Sequence, residues 1–153
     1  MKSKYNFMEV IFMAGKSIEE IAIGEKASFS KTITEGDVYL YAGIIGDLNP
    51  AHINEEAAKK GIFGKRIAHG MLTAGLVSTV LGMKLPGEGT IYMGQELKFT
   101  KPVYFGDTIT ATVEVCEKVK DKFLKMKTTC TNQNGEVVLD GEALVLPPKK
   151  EAN

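Results

Sequence analysis

The hydrophobic and polar positions of this chain change period along its length, and each change marks an element. From Ala27 to Thr34 they alternate weakly, with the period of two of a strand. Thr34, followed three residues later by Asp37, then offers a helix N-cap, and Val38, Leu40, Tyr41, Ile44 and Ile45 continue a helix that Gly46 ends. Asn54 is a second N-cap, with Glu55 and Glu56 in the first turn, where the helix dipole favours acids. Gly61 suits the position just past the end, so the pattern predicts a short helix over Glu55 to Lys60.

Gly70 to Met83 reads differently. Met71, Leu72, Ala74, Gly75, Leu76, Val77, Val80, Leu81 and Met83 leave almost no polar face, and a helix that is apolar all round is a buried one. Gly82 and then Pro86-Gly87 are expected to stop it. The rest reads as strands. Ile91, Met93, Leu97 and Phe99 alternate with Tyr92, Glu96, Lys98 and Thr100; Ile109, Ala111, Val113 and Val115 alternate with Thr108, Thr110, Thr112 and Glu114. Leu124, Met126 and Cys130 share one face, and Asn134-Gly135 is a hairpin signal leading into a strand from Glu136 to Leu146, with Gly141 read as a bulge. Pro147-Pro148 ends the fold. A buried helix followed by antiparallel strands predicts an α+β architecture, a curved sheet wrapped around a central helix, which is the hot-dog arrangement. One such sheet leaves a side and an edge uncovered, so pairing with a second copy as a homodimer or dimer of dimers is expected.

The 153 residues are the size of one domain, and we place an extension at 1–16, the domain at 17–148 and a charged tail at 149–153. Nineteen basic residues balance nineteen acidic ones, which argues against a general attraction to nucleic acid or an anionic membrane. Arg66 stands in the cluster Lys59, Lys60, Lys65, Arg66, open to two readings: a solvated basic edge or a local phosphate contact. Cys116 and Cys130 lie in strand-like segments without CxxC spacing, which fits a reducing cytoplasm. No apolar run approaches the ~20 residues of a membrane span. Glu9 interrupts the apolar stretch Phe7, Met8, Val10, Ile11, Phe12, Met13, which speaks against a signal peptide, and a start at Met13 is left open.

Polar groups concentrate in Gly46-Asp47-Leu48-Asn49-Pro50-Ala51-His52, between two helices. Asn49-Pro50 favours a turn, because the residue before proline is pushed out of the helical region, and that turn could bring Asp47 and His52 toward one point. A carboxylate and an imidazole there can share one water, one accepting its proton and the other supplying one. On residues alone, Asp47 as a helix-end group and His52 as a surface or core histidine remain open. At the entrance of the apolar helix stands Ala68-His69-Gly70-Met71. The first N–H groups of a helix have no internal partner, and Gly70 has no side chain to block a carbonyl oxygen from its N–H, which would make an oxyanion hole. His69 is read as bracing the loop. Ser78 is the notable polar group of the helix, with a bond back to the Ala74 carbonyl as the alternative. Asp47, His52 and His69 could in principle ligate zinc, but no pair has i, i+4 spacing and no metal is expected. There is no G-x-S-x-G, P-loop or G-x-G-x-x-G.

Asp47-Leu48-Asn49-Pro50-Ala51-His52, then His69-Gly70-Met71 downstream, then Pro102-Val103-Tyr104-Phe105-Gly106-Asp107 together resemble the MaoC-like family of (R)-specific enoyl-CoA hydratases and dehydratases over roughly Ala27 to Leu146. The resemblance implies that Asp47 and His52 are the catalytic pair and Gly70 the oxyanion-hole amide. It further implies that Ser78 stands near the site, with Asn49, His69, Leu81 and Val145 around the substrate, and that no cofactor takes part. Asn54 departs from the acidic residue the family often has there, but caps a helix equally well. The implied activity is hydration of a trans-2-enoyl-CoA. Its rivals are dehydration of a 3-hydroxyacyl chain on acyl carrier protein, a hot-dog thioesterase and a non-catalytic acyl-thioester binding module. A thioesterase usually carries an acid on the buried helix, and Gly70 to Met83 has none.

Overall fold

The computed structural model describes residues 15–150; the apolar stretch at 7–13, most of the extension at 1–16 and the last three residues of the tail lie outside it. A 3₁₀ turn at Ile18–Glu20 leads into strand β1 (Lys26–Thr32). Helix α1 (Glu35–Ile45) begins where expected: Thr34 Oγ1 accepts from the Asp37 N–H at 3.2 Å and the Asp37 carboxylate accepts from the Thr34 N–H at 2.8 Å. The Thr34 hydroxyl, at 2.7 Å, and the Thr34 N–H both donate to the Asp37 carboxylate and hold it down to about 2. Gly46 closes α1 with φ 78°, a left-handed conformation that a residue with a Cβ adopts at a cost.

Two single-turn helices follow, α2 (Pro50–Ile53) and α3 (Glu55–Ala58). The sequence reading had a turn where α2 stands. Proline is restricted before it, not after: Asn49 is non-helical (ψ 129°), while Pro50 fits the first helical position and Asn49 Oδ1 caps the Ala51 N–H. Helix α3 ends at Ala58, two residues short of the expected Lys60, with Lys59 still bonding back to the Glu55 carbonyl.

Helix α4 (Gly70–Met83) packs on one face of a five-stranded antiparallel sheet formed by β1, β2 (Ile91–Phe99), β3 (Thr108–Val119), β4 (Phe123–Thr131) and β5 (Val137–Leu146), in the order β1-β3-β4-β5-β2. This is the α+β hot-dog arrangement. Val77, Val80 and Leu81 of α4 share one core with Val113, Val115, Leu124, Met126, Ala143 and Val145. The helix is not buried all round, however. Met71, Gly75 and Ser78, at i, i+4 and i+7, form an exposed strip, because no element among the described residues covers that side.

Gly141 is not a bulge; it pairs in register with Leu97 and Thr128. The irregularities fall instead between Tyr92 and Gly94, between Val115 and Glu117, and between Cys130 and Thr131. The first interrupts the expected alternation of β2: Leu97, opposite Gly141, packs against the core, whereas Ile91, Met93 and Phe99 are half exposed.

Candidate active site

The irregular chain between α3 and α4 is fastened at two successive peptide groups. Ile67 donates its N–H to the Ala51 carbonyl of α2 at 3.1 Å, and Ala68 donates to the Val103 carbonyl at 2.8 Å. Val103 belongs to the Pro102–Asp107 turn, where the Asp107 carboxylate accepts from the Tyr104 N–H and Gly106 takes φ 92°. The turn that recurs in the resemblance therefore holds the entrance of α4.

On this frame the Ile67 carbonyl accepts a hydrogen bond from His52 Nδ1 at 2.8 Å. A carbonyl oxygen only accepts, so Nδ1 carries the hydrogen and Nε2 is left facing Asp47. Asp47 Oδ1 accepts from the Asn49 N–H at 3.1 Å, turning Oδ2 toward the imidazole, 4.0 Å from His52 Nε2. That gap is too long for a direct hydrogen bond and suits one water touching both groups. The carboxylate is half exposed and the His52 side chain mostly buried.

Both groups line a cavity of about 410 Å³ that also includes His69, Gly70, Met71, Thr73, Phe99 and Val138. Gly70 opens α4, and the His69 side chain makes no capping bond, so the positive end of the helix is directed into this space. Lack of a side chain at Gly70 serves a purpose the sequence did not reveal. A Cβ there would lie 2.8 Å from the Phe99 ring, so the bare Gly70 makes room for Phe99 as a wall of the cavity.

His69 lies under the pair, its Nε2 3.0 Å from the Asp47 carbonyl oxygen and its ring stacked on His52 with centroids 3.7 Å apart. Asp47, His52 and His69 each offer a donor atom within 4.8 Å of the others. They suit a metal poorly, because a ligating imidazole nitrogen must be bare and His69 Nε2 faces a carbonyl.

The other expected positions stand apart from the cavity lining. Asn49 uses its side chain to cap α2. Ser78 is exposed on α4, whereas Leu81 and Val145 are 1% and 0% exposed within the core. Three residues turn a helix by about 300°, enough for Ser78 and Leu81 to straddle the edge of the buried side. Thr73 was missed. It is 2% exposed, lines the cavity, and its hydroxyl has no partner among the described residues. Its place one turn beyond Gly70 was the available signal. Of the basic cluster, Lys59, Lys60 and Lys65 are exposed as a solvated edge, whereas Arg66 is engaged within the chain. It bonds Glu55 at 2.8 Å, Glu35 and Tyr39, tying α1 to α3, and its guanidinium lies 4.8 Å from the Phe105 ring centroid.

Comparison with known proteins shows the family. A family model described as "MaoC like domain" matches residues 19–138. An (R)-specific enoyl-CoA hydratase from Rhodospirillum rubrum is 53% identical over 133 residues, covering 86% of this chain and 92% of that protein. A 3-hydroxybutyryl-CoA dehydratase from Methylorubrum extorquens is 47% identical, covering 87% and 85%. Among solved structures, an R-hydratase from Pseudomonas aeruginosa in the unliganded form superposes with a TM-score of 0.85 at 41% identity, covering 89% of this chain and 88% of that one. With the Asp47–His52 pair, the Gly70 helix entrance and the sheet order all in place, the chain belongs to the MaoC-like domain family.

Proposed function

We propose that the chain is an (R)-specific 2-enoyl-CoA hydratase, adding water reversibly to trans-2-enoyl-CoA to give (R)-3-hydroxyacyl-CoA. The observation that carries this reading is the 4.0 Å gap between Asp47 Oδ2 and His52 Nε2 on a cavity shared with the start of α4. Conjugation with the thioester carbonyl makes C3 of the substrate electrophilic. Asp47 accepts a proton from the water as its oxygen bonds to C3, and the π electrons move onto the thioester oxygen. The Gly70 N–H and the positive end of α4 stabilise that charge. His52, protonated on Nε2, then delivers a proton to C2 as the carbonyl reforms. Transfer of the proton from Asp47 to His52 restores the pair.

The same site runs the reverse dehydration, and CoA is the proposed carrier because the relatives at 53% and 47% identity are named for CoA substrates. The cavity of about 410 Å³ supports a short acyl chain lying against Val138 and Phe99. The free cysteines Cys116 and Cys130 support a cytoplasmic location, burial pushing the Cys130 thiol up to about 12.

Hydration of crotonyl-CoA should remove the enoyl ultraviolet band without releasing free thiol; thiol release would identify a thioesterase instead. Both catalytic groups reach only one face of the planar enoyl group, so water and the C2 proton arrive on the same side. The product should reduce nicotinamide with an (R)-3-hydroxyacyl-CoA dehydrogenase and not with an (S)-specific one. The opposite result would reject this site geometry even if hydration occurred.

A homodimer is the proposed assembly. Edge strand β2 carries half-exposed Ile91, Met93 and Phe99, and α4 adds half-exposed Met71 beside Gly75 and Ser78, an apolar surface that a second copy would cover. Light scattering should give at least twice the chain mass at micromolar concentration, and an active monomer there would rule the assembly out.

A further inference from the structure

Asp47 follows the left-handed Gly46 in a stretch without regular structure, and among the described residues its carboxylate accepts one hydrogen bond, from the Asn49 N–H of its own loop. His52 hangs from one hydrogen bond to the Ile67 carbonyl, about which an imidazole can still swing. Neither arrangement by itself sets the distance between the two groups. One side chain touches both. His69, 3% exposed at the N-cap of α4, reaches the Asp47 carbonyl oxygen with Nε2 at 3.0 Å. Its ring lies against the His52 ring at 3.7 Å with 28° between the planes, and Tyr41 backs it edge-on at 5.2 Å.

The hydrogen inventory makes the arrangement specific. The Asp47 carbonyl accepts, so His69 Nε2 carries the hydrogen, and Nδ1 is a bare buried nitrogen with no partner among the described residues. A buried polar atom left unpaired lowers stability. A glutamine could supply the donor and a phenylalanine the flat face; histidine supplies both at once. We propose that His69 is a positioning residue: it spans the catalytic pair, holding the Asp47 main chain through Nε2–H and the plane of His52 through its ring, and so sets the gap in which the reacting water is held. This rests on the hydratase reading for its effect on rate, but not for its geometry.

The chain has two histidines, which makes the geometry directly readable. In nitrogen-15 spectra of the intact protein, neutral His52 should appear as the Nδ1–H tautomer and His69 as the Nε2–H tautomer, assigned through the variants that leave one histidine. His69→Gln, which keeps a donor but loses the ring, and His69→Phe, which keeps the ring but loses the donor, should each lower kcat for crotonyl-CoA by about ten- to a hundredfold. KM should stay within about threefold and the thermal midpoint within a few degrees. An Nδ1–H tautomer at His69 overturns the proposal, as do folded variants that keep kcat or lose activity through KM alone. If His69→Phe does not fold, His69→Gln and the tautomers still decide. If the unaltered protein fails to hydrate crotonyl-CoA, the hydratase reading falls while the tautomer measurement still judges the role of His69.

Discussion

Asp47→Asn and His52→Ala should each slow crotonyl-CoA hydration at least about a hundredfold, the usual scale for positioned acid–base groups. Asn keeps the shape of Asp47 and the Oδ1 acceptor for the Asn49 N–H, but puts a neutral amide where Oδ2 must take a proton. Removing the His52 imidazole takes away the Nε2 proton for C2 and frees the Ile67 carbonyl it is fastened to. In the proposed mechanism the two groups serve a single addition step, so their losses should not add: the double variant should be little slower than the worse single one. Steady-state rates on variants with unchanged circular dichroism check this, and near wild-type turnover in either single variant would remove that residue from the mechanism.

Gly141→Ala should be the most damaging single methyl in the sheet. Strand β5 lies between β4 and β2, and a Cβ at Gly141 would stand 2.1 Å from the Glu96 carbonyl oxygen and 2.9 Å from the Leu97 Cα. Those are backbone atoms and cannot step aside as the tip of a side chain can. The Gln95 amide, bonded to Thr128 Oγ1 at 3.0 Å, already fills the space above. Relief requires lifting β2 off the sheet, a loss of ~3 kcal/mol or more and a fall of roughly 10 °C in thermal midpoint. Gly43→Ala is the control. Nothing lies within 4 Å of its would-be Cβ inside exposed α1, so alanine there should be neutral or stabilising by roughly 0.5–1 kcal/mol. Calorimetry that found the two variants equally stable would refute the close-approach reading of Gly141.

Much of the fold was legible because its signals are local. The Thr34–Asp37 cap, the left-handed Gly46 and the largely apolar run from Gly70 to Met83 are each written within a few neighbouring residues. The site was legible in part for the same reason: Asp47, Asn49 and His52 lie on one short segment, and their geometry follows from consecutive turns and caps. What escaped depends on chain brought from far away. That the Gly70 Cβ position belongs to Phe99, or that Gly141 lies against the Glu96 carbonyl, is decided by strand register and not by the residues next door. The exposed strip Met71, Gly75, Ser78 could not be told from core by composition, since Met and Gly suit a helix interface as well as an interior. Ser78 attracted notice because it is polar, yet it faces out; the polar group turned into the cavity is Thr73.

The fastening of Ile67 and Ala68 has a consequence for motion. Their amides lie in non-helical chain, where exchange with solvent is ordinarily fast, yet one is bonded to α2 and the other to the Pro102–Asp107 turn. Neither bond can open by fraying of a neighbouring turn, because each partner belongs to a segment far away in sequence. Both amides should therefore exchange with deuterium on the timescale of the surrounding core, in one cooperative event, and their protection would report on the integrity of the catalytic frame without any substrate present.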